Sequence, residues 1–280
     1  MPKHETYLAK ASKKVAAALA NTTSPFTIEV RFLGGLTKKQ KDAFKAAADR
    51  WSKVIVGDLP SVMVDGEVVD DLLILAQGQN IDGPGTILGQ AGPTRLRPAS
   101  AGAAAFIPAK GKMAFDTADL KQMEKDGTLG DVITHEMGHV LGIGTIWTNK
   151  GLLHGAGTSN PTFTGAAAKA EFGKLKGTGP TAVPVENTGG AGTRDSHWRE
   201  SVFRNELMTG FVGSANNPLS RMTVGSLQDL GYVVDFKAAE PYSLPNLMAL
   251  AEGGALAEQP QPKGVILPNI PIVLPDDSLQ

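Results

Sequence analysis

From Phe26 to Phe32 every second residue is apolar: Phe26, Ile28, Val30 and Phe32, with Thr27, Glu29 and Arg31 between them. A period of two predicts a strand with one buried face. From Lys38 to Val56 the period becomes helical, placing Phe44, Ala47, Ala48, Trp51, Val54 and Ile55 on one stripe and leaving Lys and Asp residues on a solvated face. Leu72-Leu73-Ile74-Leu75-Ala76 reads as a buried strand and Lys112-Met113-Ala114-Phe115-Asp116 as another. A helix follows from about Leu129 to Leu141. Thr128 and Asp131 have the spacing of a capping box at its start, Gly142 and Gly144 supply its stop, and Val132, Ile133, Val140 and Leu141 are available for burial.

Beyond Gly142 the regular pattern fades. Between Thr145 and Ser196 the chain is loaded with Gly, Thr, Ala and Pro and carries one helical patch, Ala166 to Leu175. Stretches this long are functional loops or disordered ones. Leu219 to Tyr232 reads as a short helix with Met222, Leu227 and Leu230 facing inward and Gly231 suited to the left-handed residue at its end. From Pro241 onward, prolines alternate with short apolar runs such as Leu267-Pro268-Asn269-Ile270-Pro271-Ile272-Val273-Leu274-Pro275, the pattern of an extended strap or linker.

Composition narrows the function classes. With 280 residues, 41% of them hydrophobic, the chain can bury a core as one domain in two lobes. A net charge of −1 without a basic cluster argues against a nucleic-acid partner. No apolar run approaches the length that spans a bilayer. Lys10, Lys13 and Lys14 precede only Val15-Ala16-Ala17-Ala18-Leu19-Ala20, too short and mild a run for a signal peptide, so the compartment stays open. Cysteine is absent, so stability rests on packing without disulfides, and no thiolate can ligate a metal.

The chemistry concentrates in His135-Glu136-Met137-Gly138-His139. On a helix, His135 and His139 point to the same side and can grip one metal, while Glu136 sits beside it, placed to take a proton from a metal-bound water. A catalytic zinc takes three protein ligands and keeps one position open. The remaining histidines are His4, in an Ala- and Lys-rich stretch; His154, alone among loop residues; and His197, in the richer run from Arg194 to Gly210. A zinc hydrolase of another clan would use a downstream Glu instead, with Glu171, Glu186, Glu200 and Glu206 available. A third reading is a non-catalytic binding or adhesive module with a structural zinc. The intact Glu136 argues against it, because a closed structural site needs no base. Asp195 and Glu186 are conceivable calcium ligands, but no spacing supports calcium.

His135-Glu136-x-x-His139-x-x-Gly142, the long insertion, His197-Trp198 and Asn205-Glu206-Leu207-Met208-Thr209-Gly210 together resemble the leishmanolysin family of metzincin zinc endopeptidases. In most metzincins the third histidine comes three residues after the glycine, a position held here by Thr145; the leishmanolysin type delays it by an insertion. The resemblance runs from about Phe26 to Phe236 and implies an α+β fold: a twisted mixed sheet, a zinc-binding active-site helix and an irregular lower lobe closed by a C-terminal helix. It divides the chain into an amino-terminal segment (1–24), a catalytic domain (25–237, with lobes 25–143 and 144–237) and a Pro-rich tail (238–280). His135, His139 and His197 are implied as ligands of one catalytic Zn2+, with Glu136 as general base in the hydrolysis of internal peptide bonds. Met208 is implied as the apolar floor of a Met-turn. Leu88, Gly89 and Gln90, within Thr86 to Pro93, correspond by order to an edge strand that takes an extended protein or peptide substrate through main-chain hydrogen bonds. The insertion is expected to form an ordered cover near the cleft. The family also favours secretion. Without cysteine the chain looks more like a bacterial relative, and any latency falls to another device, such as the amino-terminal segment or zinc scarcity.

Overall fold

A computed structural model describes residues 4–190, 192–211, 215–246 and 264–280. In chain order, β1 (Glu5–Lys10) and α1 (Lys13–Ala20) lead into the alternating strand β2 (Thr27–Gly34), whose Phe26, Ile28, Val30 and Phe32 side is buried as its period requires. Helix α2 (Lys38–Val54) starts at a complete capping box between Thr37 and Gln40 and turns Phe44, Ala47, Ala48, Trp51 and Val54 inward. A hairpin, β3 (Val62–Val64) and β4 (Glu67–Val69), precedes β5 (Leu72–Gln79), β6 (Ile87–Leu96) and β7 (Pro108–Asp116). Two helices follow, α3 (Thr117–Asp126), capped by the Asp116 carboxylate, and α4 (Leu129–Val140), separated by Gly127.

After the motif helix come short strands β8 (Leu153–His154) and β9 (Thr162–Phe163), helix α5 (Ala166–Lys176), β10 (Val183–Pro184), the single turn α6 (Glu200–Phe203) and α7 (Arg221–Leu230). Ser220 caps α7 by accepting the Thr223 amide, and Gly231 ends it. Two further strands lie in the tail, β11 (Val265–Pro268) and β12 (Ile272–Val273); residues 247–263 of that tail lie outside the described residues.

Among the described residues the main sheet runs β1-β2-β5-β7-β6-β11, with β12 also on β6, and it is mixed: β2, β5 and β7 are parallel, β1 and β6 pair antiparallel, and β11 and β12 lie parallel to β6. The α+β class and the mixed sheet agree with the sequence reading. Helices α2 and α4 pack together on one face. There Trp51 is fully buried and its Nε1 donates to the Thr134 carbonyl at 2.9 Å, fastening α2 to the motif helix. Burying such a side chain contributes about 1.5–3 kcal/mol. A smaller cluster of Val62, Val64, Val69, Leu73 and Ala109 forms where the hairpin folds against the sheet.

Two expectations need correction. Thr128 does not form a capping box: it is already in the helical region and its side chain caps nothing, because the Asp131 carboxylate is taken by the amide and side chain of Asn217 at 3.0 and 3.1 Å and lies 3.7 Å from Arg50. The β6 strand is not a free edge, since β11 and β12 occupy its outer side. At the opposite end of the sheet β1 pairs with β2.

Candidate metal centre

Helix α4 places His135 and His139 one turn apart on its buried lower face, and Gly142 and Gly144, both with positive φ (109° and 75°), turn the chain away immediately after it. The insertion then brings His197 back. Its route is fixed by a carboxylate: Glu186 accepts the Asn187 and Thr188 amides and the Thr188 hydroxyl on one oxygen and the Glu200 amide on the other, while the Glu186 amide donates to the His197 carbonyl. Beneath, Trp198 stacks on Trp147 at 4.8 Å, and Phe163 and Phe203 close the cluster.

The three Nε2 atoms converge, with pairwise separations of 2.9 to 3.0 Å. Each ring has its other nitrogen on a backbone carbonyl: His135 Nδ1 donates to Leu207 (2.7 Å), His139 Nδ1 to Ile143 (2.8 Å) and His197 Nδ1 to Thr193 (2.9 Å). Those partners assign the proton to Nδ1 in all three rings and leave three Nε2 lone pairs facing one point. Burial holds the imidazoles neutral, His135 down to about 3 and His139 to about 4, with neighbouring His139 adding to the shift of His135; His197 is lowered well below its usual range for the same reasons. Three neutral acceptors this close repel unless a cation lies among them. An all-imidazole set suits zinc.

Glu136 is buried beside the cluster, with Oε1 3.9 Å from His135 Nε2, and faces the same cavity; burial pushes its carboxyl up to about 8. The cavity, about 900 Å³, is walled by α3 and α4 on one side and by Gly190, Thr193 and Arg194 of the insertion on another, the ordered cover expected from the sequence. Thr145, at the position where most metzincins carry histidine, donates its hydroxyl to the His139 carbonyl.

Met208 lies fully buried under the motif helix: a Cβ added to Gly138 would stand 2.8 Å from its sulfur, so glycine lets the helix settle onto it. Its loop is tied by Glu206, whose carboxylate accepts the Met208 amide at 2.6 Å, the Ser220 amide and hydroxyl, and the Thr223 hydroxyl. The holding role of this carboxylate and of the three carbonyls behind the histidines has no sequence signature; Glu206 stood there as a rival ligand and as one residue of the run around Met208. The other rival carboxylates lie elsewhere: Glu171 pairs with Arg221 and Lys174, Glu186 holds the loop, and Glu200 begins α6 with its carboxylate beside the Thr209 hydroxyl. His154 is exposed, and His4 lies in the amino-terminal stretch. Asp195 accepts the Gly157 amide. Of the expected substrate contacts Leu88 lines the cavity, whereas Gly89 and Gln90 pair with β7 on one side and β11 on the other.

Comparison with known proteins agrees with this centre. A model of the leishmanolysin (peptidase M8) family matches residues 103–249, more than half of the chain. A leishmanolysin homolog of Crithidia fasciculata is 29% identical over 133 residues, 45% of this chain and 20% of that protein. Leishmanolysin-like peptidases of Caenorhabditis elegans and Caenorhabditis briggsae are each 38% identical over 76 residues, 26% of this chain and 11% of theirs. The matched stretches thus span a fifth or less of these relatives. The family model runs through the motif helix, the insertion, His197 and Met208, and on that coverage the chain belongs to the leishmanolysin family of zinc-dependent peptidases.

Proposed function

We propose that this protein is a zinc endopeptidase that hydrolyses internal bonds of protein or peptide substrates, with Glu136 as general base. The observation that carries the reading is a buried carboxylate standing beside three convergent imidazoles on the wall of a cavity large enough for a peptide. Zinc, when bound by His135, His139 and His197, supplies the Lewis acidity that activates water and polarises the scissile carbonyl. Glu136 takes the proton from the water and delivers it to the leaving nitrogen. The carbonyls of Leu207, Ile143 and Thr193 keep each ring turned and protonated at Nδ1. Met208 gives the motif helix an apolar floor. Leu88 contacts a substrate side chain, and Gly89 and Gln90 contact its main chain.

In this reading the catalytic unit is 25–237, an upper lobe (25–143) above a lower lobe (144–237) closed by α7, in the metzincin arrangement. Segments 1–24 and 238–280 flank it, the first adding β1 at one end of its sheet and the second β11 and β12 at the other. The test is digestion of a diverse peptide mixture by the zinc-loaded protein, read by mass spectrometry, beside Glu136→Ala. Internal cuts by the parent chain, reduced about 10²–10⁴-fold in a variant that still holds zinc, are the expected result. Undiminished cutting by the variant would remove Glu136 from the mechanism.

A further inference from the structure

Strand β6 forms one side of the catalytic cavity, and its outer side is already paired. Val265, Ile266, Leu267 and Pro268 stand opposite Ile87, Gly89, Gln90 and Ala91, and Ile272 and Val273 opposite Arg95 and Leu96. Leu88, Gly89 and Gln90, the residues assigned above to substrate, are the ones this segment covers. Three further contacts hold it there. The Asn269 side-chain amide donates to the carbonyls of Gly92 (2.9 Å) and Lys112 (3.1 Å), bridging β6 and β7. The Ile266 carbonyl would lie 2.9 Å from a Cβ added to Gly192, so the segment passes close against the loop that delivers His197. Its far end is anchored by the Gln280 amide on the Ser61 carbonyl. Val265, Ile266 and Asn269 line the same cavity as His135 and Glu136.

The hold is made largely of main-chain hydrogen bonds. Ile270 and Ile272 are 92% and 60% exposed, and Val265, Leu267 and Val273 are exposed too, so apolar packing is confined to the partly buried Ile266, Leu274 and Leu279. Pro268 and Pro271 bring no N–H to the ladder. A groove that holds its occupant through backbone groups accepts any other extended peptide in its place.

From these contacts we infer that residues 264–280 are a resident competitor for the β6 groove, an intramolecular strand that a substrate peptide must displace before it can be laid along Leu88–Gln90. The inference rests on the endopeptidase reading for the identity of the displacing peptide. An occupant that covers the groove nine-tenths of the time weakens apparent substrate binding about tenfold.

The test locks the strand in the full chain. Gln90→Cys combined with Leu267→Cys places two thiols on facing register positions of a protein that has no cysteine of its own, so the parent chain is the control for any effect of reductant on zinc. Two readouts are taken on the oxidised and reduced double variant: KM and kcat for an internally quenched peptide, and fluorescence anisotropy of a labelled synthetic peptide of residues 264–274. Reduction should lower KM about tenfold or more and allow the labelled peptide to bind, while the oxidised form excludes it. Equal KM and equal peptide binding in the two forms would overturn the inference. Binding only in the reduced form with no hydrolysis in either form would uphold the resident strand and overturn the endopeptidase reading.

Discussion

Gly144 joins the end of the motif helix to the loop that returns with His197, and replacing it by alanine should damage the metal centre from a distance. Its φ of 75° is left-handed, which costs a residue with a side chain about 1–2 kcal/mol. The larger effect is steric. An added Cβ would lie 1.9 Å from the Ser196 carbonyl oxygen, a backbone atom directly before His197. Restoring ordinary contact requires a movement of roughly 1–1.5 Å. The loop cannot absorb that movement freely, because the Ser196 hydroxyl bonds the Gly192 and Thr193 carbonyls and His197 Nδ1 donates to the same Thr193 carbonyl. Displacement of His197 should lower zinc affinity at least about tenfold, in line with losses on disturbing groups that orient a metal ligand. Competition against a fluorescent chelator measures that affinity. The control is Gly151→Ala, where φ is also positive (66°) but the added carbon meets nothing within 4 Å, so that the backbone penalty alone remains. Zinc affinity and thermal midpoint in Gly144→Ala that matched those of Gly151→Ala would refute the reasoning.

Other perturbations follow from the same geometry. Glu206→Ala removes four accepted hydrogen bonds and strands the buried amides of Met208 and Ser220, so stability to urea should fall by roughly 3–5 kcal/mol; a loss below about 1 kcal/mol would mean the loop holds without it. Removing zinc with a chelator leaves three neutral lone pairs facing one another, so the thermal midpoint should drop and recover with added zinc in a concentration-dependent way, as calorimetry would record. Glu200 is pushed up to about 7 by burial, with the Thr209 hydroxyl opposing the shift and the Glu186 carboxylate adding to it. The folded chain therefore keeps a proton that the unfolded chain releases above about pH 4.3, and stability falls as pH rises from there through about 7. At constant zinc load the parent should lose about 1–3 kcal/mol from this group between pH 5 and 8. Glu200→Gln should lose less, and identical slopes in urea titrations would contradict the assignment.

Much of the centre was legible because its signals are local and chemically rare. Two histidines four apart on a helix need no tertiary information to face the same way, and the run around His197 and Met208 carried the resemblance that supplied the third ligand. The β2, α2 and β5 patterns were legible for a related reason: each buries one periodic face. What escaped notice depended on distant partners. In β1, Glu5-Thr6-Tyr7-Leu8-Ala9-Lys10, only Ala9 is buried, so no one-sided apolar face gave a strand signal until β2 was beside it. Helix α3 buries only Leu120, Met123 and Asp119, too sparse an apolar stripe to stand out between the strand and the motif helix. Asp131 had capping-box spacing, yet its carboxylate went to Asn217, 86 residues away. Pro268 and Pro271 made the tail look like a linker. Its strands exist because β6 offered a row of backbone groups to pair with.

The protein has three tryptophans, and all of them are fully buried around the metal centre: Trp51 against Gly138 of the motif helix, Trp198 directly after His197, and Trp147 stacked on Trp198 at an interplanar angle of 28°. No exposed indole dilutes their light, so tryptophan emission reports on the packing around the metal centre. Indoles stacked at 4.8 Å also couple their strong excited states, giving the native fold a far-ultraviolet circular dichroism couplet that fades when the loop carrying His197 shifts. Zinc loading, and departure of the chain from its native packing, can thus be followed optically without a label or a substrate.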